Sequence, residues 1–387
     1  MPVTTRPSAA LATLAVILAL AAGSAYAAAG IETVPGMPPV TDPTNLYSET
    51  TAAKLSPALA NVPARVYVPN VKSDEVHVID PVTFKVIDRF KVGKNPQHVV
   101  PSWDLTTLWV TNNAEGRTDG TLTPIDPTTG KPGKDVVVDD PYNMYFTPDG
   151  RSAVIVAEAM KRLDFRDATT MALQGSVSAP KCGGINHGDF SIDGRYLIMT
   201  CEYVGRLAKI DWRARKVLGY LTLPDGGIPQ DIRVSPDGTI FYVADLKAGG
   251  VHLIDGDAFK TVGFIKTGVG THGLYPSRDG KKLYITNRGT HMGETKAKGQ
   301  GSVSVLDFAT RKIERNIPIP GGGSPDMGNV SADGKYLWLS GRFDKLVYAI
   351  DIASGDVKTI PVGTEPHGLT IWPQPGRYSL GHTGNMR

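Results

Sequence analysis

Four of the eight histidines in this 387-residue sequence stand at similar places in a repeated pattern. Each lies just before a short apolar run, in the segments NPQHVV, GINHGDF, GTHGLYP and EPHGLTI. These histidines are His98, His187, His272 and His367. Imidazole rings are ligands for copper, iron, zinc or nickel. If the four rings meet, they could coordinate a transition metal ion and leave positions open for a substrate or for dioxygen.

The same pattern supplies further candidate ligands. The equivalent positions of the other repeats carry Asn143, Asp231 and Met327, within one residue. Asp231 and Met327 have side chains that bind metals. His291 lies in the longest insertion, RGTHMGETKAKGQG, and His382 follows a strand-like run near the C-terminus. Because insertions in repeat proteins mark the binding face, we consider His291 a possible additional ligand, and His382 another.

A purely structural explanation of the histidines is also open. They could recur because the repeats arose by duplication, with each imidazole bonded to a neighbouring backbone group. His77 and His252 alternate with valine and isoleucine inside strand-like segments, so we expect them to serve packing. The placement of the four recurring histidines on alternate repeats favours a shared site.

The elements that must position these residues are visible as a repeat. An apolar-apolar-Asp mark recurs every 38 to 52 residues, and its aspartates are Asp80, Asp126, Asp164, Asp211, Asp255, Asp307 and Asp351. Between the marks lie polar turns such as SPDG and short runs such as LWVTNN and LYITNRG, which are rich in β-branched and aromatic residues. Four strands in a period of about 44 residues are typical of a propeller blade. The sequence therefore predicts an all-β, seven-bladed β-propeller.

The segments VSVLD, KTVGFIKTG, LYITN and SPDG, in this arrangement, resemble the YVTN-repeat (YncE-like) β-propeller family over residues 65–387. The resemblance implies four-stranded antiparallel blades whose first strands line a central channel. It also implies a ring closed by pairing the N-terminal ARVYVPNV with the C-terminal PHGLTIWP. The four histidines then stand at one channel mouth. The remaining run RYSLGHTG has no place in the repeat, and pairing beside the N-terminal strand is one option.

The two cysteines, Cys182 and Cys201, are expected to form a disulfide on the histidine face of the propeller. Antiparallel strands would bring them close together beside His187. Two thiolate metal ligands are the alternative, which an oxidising compartment disfavours.

Residues 1–27 combine Arg6, an apolar run and an Ala-Tyr-Ala site, as in a cleaved signal peptide. We therefore expect a periplasmic or secreted protein with a lead-in segment at 28–64 and no membrane span after cleavage. The formal net charge of +3 falls to +2 without Arg6, which gives no reason to expect nucleic acid binding. We expect a monomer.

Two kinds of function fit these observations. The first is a metalloprotein with copper or iron, rather than zinc, in the histidine ring, and with oxidoreductase activity if it is an enzyme. A small molecule would then enter the channel mouth, and a periplasmic electron-transfer protein could be its partner. The second is a metal-free scaffold that binds a ligand or a protein. A propeller hydrolase or lactonase, or a haem d1-binding protein, is a further alternative that rests on the fold.

Overall fold

The structure is a computed structural model that describes residues 1–4, 30–115, 117–290 and 300–387. Most of the expected signal peptide, and also His291, lie outside the described residues. In the part of the chain that is described, no helix is long and apolar enough to cross a membrane. The only helical segments assigned there are short 3₁₀ turns at Ser48–Thr50, Pro57–Leu59, Glu202–Val204 and Pro224–Gly226.

Seven antiparallel blades form the ring that the sequence predicts. The first blade contains β1 (Arg65–Asn70), β2 (Glu75–Asp80) and β3 (Lys85–Lys91). Its innermost strand is β29 (Thr370–Trp372), which comes from the C-terminal region and pairs with β1. The predicted closure of the ring by the two ends of the chain is thereby confirmed. Closure leaves neither terminal strand as an open sheet edge.

The other blades follow one another along the chain, each from its innermost strand outwards. Blades two to four consist of β4 (Pro96–Pro101), β5 (Leu108–Asn112), β6 (Thr121–Asp126), β7 (Lys131–Pro132), β8 (Val136–Val137), β9 (Pro141–Phe146), β10 (Ser152–Ala157), β11 (Arg162–Asp167), β12 (Leu173–Ser178), β13 (Ile185–Phe190), β14 (Leu197–Cys201), β15 (Arg206–Asp211) and β16 (Lys216–Thr222). In blade two, β7 and β8 share the outermost position against β6.

Blades five to seven consist of β17 (Pro229–Val234), β18 (Ile240–Asp245), β19 (Gly250–Asp255), β20 (Lys260–Lys266), β21 (Thr271–Pro276), β22 (Lys282–Asn287), β23 (Ser302–Asp307), β24 (Lys312–Pro318), β25 (Pro325–Val330), β26 (Tyr336–Gly341), β27 (Leu346–Asp351) and β28 (Val357–Pro361). The hydrophobic core lies between neighbouring blades. Between blades seven and one, for example, Trp338 packs with Val66 and Ile371. Burial of such side chains holds each blade to the next.

An extra residue at the start of each inner strand shapes the channel. In β4, Pro96 lies opposite Asn112 whereas His98 lies opposite Thr111, so the inner strand has one residue more than its partner. The same register shift occurs at the start of β9, β13, β17, β21 and β25. A β-bulge of this kind breaks the strict alternation of side chains along a strand. Two consecutive residues of one strand can therefore both reach the channel.

The C-terminal run RYSLGHTG lies inside the channel, not beside the N-terminal strand. It runs along β9, where Phe146 N–H donates to Leu380 O (3.0 Å) and His382 N–H donates to Met144 O (2.8 Å). The chain then turns back, and Arg387 N–H donates to Tyr378 O (3.0 Å). Residues 377–387, here called the C-terminal hairpin, are almost entirely buried. Seven blades leave a channel wide enough to need such a filling, which the repeat pattern alone does not reveal.

The lead-in segment covers the face of the ring that carries the Asp-Gly turns. Leu46 N–H donates to Pro236 O (2.7 Å), and the hydroxyl of Tyr47 donates to Val234 O (2.7 Å). Near the start of the hairpin, Gly376 N–H donates to Lys54 O (3.2 Å). The lead-in and the hairpin together close this end of the channel.

Candidate functional site

Five imidazoles meet inside the channel: the four recurring histidines and His382 at the tip of the C-terminal hairpin. All five side chains are buried. The distances between neighbouring ring centroids are 4.7 Å (His98–His367), 5.0 Å (His187–His382), 5.2 Å (His98–His382), 5.6 Å (His98–His187), 6.0 Å (His187–His272) and 6.1 Å (His272–His367). We call these residues the channel histidines.

The channel histidines occupy two layers, because each bulge presents two consecutive positions. His272 and His367 take the first position, together with Asp326, and the ligand atoms of these three lie within 4.8 Å of one another. His98 and His187 take the second position. With His382 they form another group, whose ligand atoms also lie within 4.8 Å of one another. We call the first group the outer layer and the second the deep layer.

The repeat pattern predicts that all four recurring histidines stand at equivalent positions. In the structure, His272 and His367 lie one position earlier in the inner strand than His98 and His187. Thr271 and Pro325 start their strands at matching register, so His272 corresponds to Asp326 rather than to Met327. Met327 is buried, and its Sδ accepts from the hydroxyl of Tyr275 (3.4 Å). Asp326 was missed, although aligning the prolines of SPDMGNV and EPHGLTI would have placed it beside His367.

The deep layer contains neutral side chains with few partners. Asn143 Nδ2 lies 3.2 Å from His187 Nδ1 and 2.9 Å from His382 Nδ1, so one amide links the two rings. His98 has no hydrogen-bond partner on either ring nitrogen among the described residues. Asp231 Oδ1 lies 3.5 Å from His382 Nε2, which is long for a hydrogen bond. Burial holds the pKa of all three imidazoles well below the usual range.

The outer layer is built around the buried carboxylate of Asp326. Its Oδ1 lies 2.9 Å from His272 Nδ1 and 2.7 Å from Arg288 Nη2. Its Oδ2 lies 3.6 Å from His367 Nε2 and 3.9 Å from Arg342 Nη1. Burial alone would raise the pKa of Asp326, but the charges of Arg288 and Arg342 and the close contact with His272 outweigh it and lower the pKa. The carboxylate therefore stays ionised, with Oδ2 available as a ligand.

A cavity of ≈ 670 Å³ opens from the outer layer to the surface. His272 and His367 line its floor, and its walls include Arg288, Arg342, Glu202 and Tyr203. The walls also include Glu115, Gln97, Tyr142, Glu158, Gln230 and Glu365. Burial and the nearby Glu202 raise the pKa of Glu158 to about 8. We call this space the mouth cavity; since the other end of the channel is closed, it is the route by which a small molecule would reach the histidines.

The expected disulfide joins Cys182 and Cys201, whose Cα atoms lie 4.7 Å apart. Cys201 ends β14 opposite Ile185, two residues before His187. The bridge therefore fastens the loop that leads into a channel histidine. This geometry rules out the alternative of two thiolate ligands in the disulfide-bonded state.

Comparisons with known proteins agree with the fold. The family model described as YNCE-like beta-propeller matches residues 23–375. Because this match covers most of the sequence, the chain belongs to the YncE-like β-propeller family. No curated protein matched in a sequence search.

Solved structures with the same fold include a periplasmic gluconolactonase from Pseudomonas aeruginosa, at 20% identity and a TM-score of 0.65, covering 81% of this chain and 99% of that one. Another is hydrazine synthase from Kuenenia stuttgartiensis, at 18% identity and a TM-score of 0.58, covering 79% of this chain and 95% of that one. A third is the dihydro-heme d1 dehydrogenase NirN in complex with DHE, at 18% identity and a TM-score of 0.57, covering 79% of this chain and 74% of that one. At such identities the similarity shows the fold alone.

Proposed function

We propose that this YncE-like β-propeller is a periplasmic metalloprotein that binds copper or iron through the channel histidines. One observation carries the proposal: apart from His272 Nδ1, which lies 2.9 Å from Asp326 Oδ1, six ring nitrogens of the buried channel histidines have no hydrogen-bond partner among the described residues. They are both nitrogens of His98, both nitrogens of His367, and Nε2 of His187 and His382. An unsatisfied buried polar group costs about 1–3 kcal/mol. A bound metal ion would satisfy several of these nitrogens at once.

The residues fit a metal ion in three further respects. Metal-binding histidines must be neutral, and burial favours the neutral form of these imidazoles. The contact of His272 Nδ1 with Asp326 resembles the carboxylate–histidine pairs that orient metal ligands. The recurring histidines also stand on inner strands of a closed ring, which is a stiff support for a preorganised site.

The mouth cavity supports a catalytic role in oxidation or reduction. A copper or iron ion bound at its floor would supply a redox-active centre with positions open to a small molecule. The chain's own residues would hold that molecule between acidic groups such as Glu158 and cationic groups such as Arg342. We therefore propose an oxidoreductase that acts on a small molecule and exchanges electrons with a periplasmic partner. The N-terminal segment that resembles a signal peptide supports a periplasmic location, as does the fold shared with a periplasmic gluconolactonase.

Metal reconstitution tests the proposal. The mature protein, with its disulfide intact, would be stripped of metal, loaded separately with Cu²⁺ or anaerobic Fe²⁺, desalted, and analysed for metal content. We expect tight binding of at least one ion per chain. A variant with His98, His187, His272 and His367 all changed to alanine should lose it, whereas His77→Ala, outside the channel, should not. Circular dichroism and thermal melting would verify that each variant is folded.

Two results would count against the proposal. Metal content below about 0.2 ions per chain in the wild type would leave a metal-free scaffold as the function. Bound metal that the quadruple variant retains would place it elsewhere on the protein. The redox role has its own test, since the loaded ion should change oxidation state reversibly in a potentiometric titration. Retention of zinc alone under competition with copper and iron would contradict that role.

A further inference from the structure

We infer that the channel histidines hold two metal ions, one in the outer layer and one in the deep layer. The inference rests on the proposed function, because it assumes that these histidines bind metal. It goes further by assigning each ion its own ligands and by giving the C-terminal hairpin one of them. The outer ion would be bound by His272, His367 and Asp326, and the deep ion by His98, His187 and His382.

The bulges at the start of the inner strands provide the two layers. Outer-layer residues such as Asp326 and deep-layer residues such as His98 occupy consecutive positions of this bulge on different blades. Rings of the two layers lie close together, with centroid distances of 4.7 Å (His98–His367) and 6.0 Å (His187–His272). Pairs of metal ions in proteins are separated by about 3.5–4 Å. Ions bound by rings this close together would be near neighbours, as in a two-metal site.

Each layer also offers three ligands. The two groups of three share no residue, and the ligand atoms of each lie within 4.8 Å of one another. Bonds of about 2.0–2.1 Å allow two ligands of one ion to be at most about 4.2 Å apart. Small side-chain movements would thus close either group around an ion. If only one ion were bound, it would satisfy unpartnered ring nitrogens in one layer and leave those of the other layer without partners.

The two sites differ in charge and in access. The outer set contains the carboxylate of Asp326, whose Oδ1 pairs with Arg288 Nη2 at 2.7 Å and whose Oδ2 is left for the ion, and His272 and His367 line the mouth cavity. Two histidines and a carboxylate with open positions are the ligands of non-haem iron enzymes. The deep set is three imidazoles enclosed by the hairpin, and the nearest carboxylate, Asp231 at 3.5 Å from His382 Nε2, is already paired with Arg233 at 3.2 Å. We therefore assign the exchangeable, substrate-accessible position to the outer ion.

Stoichiometry in matched variants tests the inference. The metal-free mature wild type would be titrated with Cu²⁺ alone and its copper content measured after desalting. We expect two ions per chain in the wild type and in His77→Ala, and one in His382→Ala and in Asp326→Asn. The double variant should bind none tightly. His382→Gln, which keeps the volume and polarity of the side chain, replaces His382→Ala if the latter fails to fold.

Electron paramagnetic resonance of the copper-loaded wild type gives an independent readout. Two Cu²⁺ ions about 4 Å apart interact magnetically, so we expect a broadened spectrum that becomes that of an isolated ion in either single variant. One ion in the wild type with an isolated-ion spectrum would overturn the two-ion inference and leave the proposed function standing. No bound ion would overturn both. Two ions that remain in His382→Ala would refute the assignment of the deep ligands.

Discussion

The imidazole of His382 lies 5.0 Å from that of His187, centroid to centroid, and Asn143 contacts Nδ1 of both rings. One of these rings belongs to a blade, whereas the other is brought by the last residues of the chain. The site is therefore complete only when the C-terminal hairpin lies in the channel. Contacts that seat the hairpin should influence both the stability of the protein and its affinity for metal.

Arg387→Ala tests the seating of the hairpin. Arg387 Nη2 donates to Asp189 Oδ1 at 2.8 Å, and both side chains are buried. Removing one partner of a buried ion pair leaves the other charge unpaired, at a cost of about 3–5 kcal/mol. Denaturant unfolding should show a loss of this size in the free energy of unfolding. Arg377→Ala, at an exposed hairpin residue that contacts Pro39 O, should cost less than about 1 kcal/mol. Equal losses in the two variants would argue against a seated hairpin.

Gly368→Ala tests the position of His98. A Cβ atom at residue 368 would lie 2.0 Å from His98 Nδ1, so the imidazole would have to move. The ring is buried and packed against other channel histidines, which leaves little room for a shift. We expect metal affinity to fall at least about tenfold, an energy of about 1.4 kcal/mol. Gly219→Ala, where the nearest atom is 3.9 Å away, is the control. Unchanged affinity in Gly368→Ala would remove His98 from the ligand set.

The fold could be predicted from the sequence because seven repeats give the same signal independently. The positions of the histidines were predicted to within one residue, since the repeat fixes where each inner strand begins. The exact layer of His272 depends on a bulge, and a bulge inserts a residue without changing the pattern of residue types. The hairpin that carries His382 was not placed, because it occurs once and so has no repeat to reveal its partners. Asp326 was not identified as a ligand because the bulge hides its equivalence to His272. The enclosed deep layer was not predicted because the hairpin that completes it occurs only once.

Removal of the disulfide should reduce stability. The bridge joins residues 19 apart in sequence, and closing a loop of this length contributes about 3 kcal/mol in the chain-entropy model. A variant with Cys182→Ser and Cys201→Ser should therefore unfold at lower denaturant concentration by about that free energy. Dithiothreitol should destabilise the wild type similarly and leave the double variant unaffected. A further loss in the double variant on reduction would contradict this, since the described residues contain no other cysteine.

Glu158 in the mouth cavity should make stability depend on pH between about 4.5 and 8. Burial and Glu202 raise its pKa from 4.5 in the unfolded chain to about 8 in the folded protein. The folded state therefore binds the proton more tightly, and this contribution is fully present below pH 4.5 and is lost as pH rises to about 8. We expect Glu158→Gln to flatten the decline of the unfolding free energy over this interval. Gln97→Asn, a change of an uncharged residue that lines the same cavity, should leave the slope unchanged. If Glu158→Gln has the same slope as the wild type, the carboxyl group is ionised at neutral pH and cannot act as a proton donor to a molecule bound in the cavity.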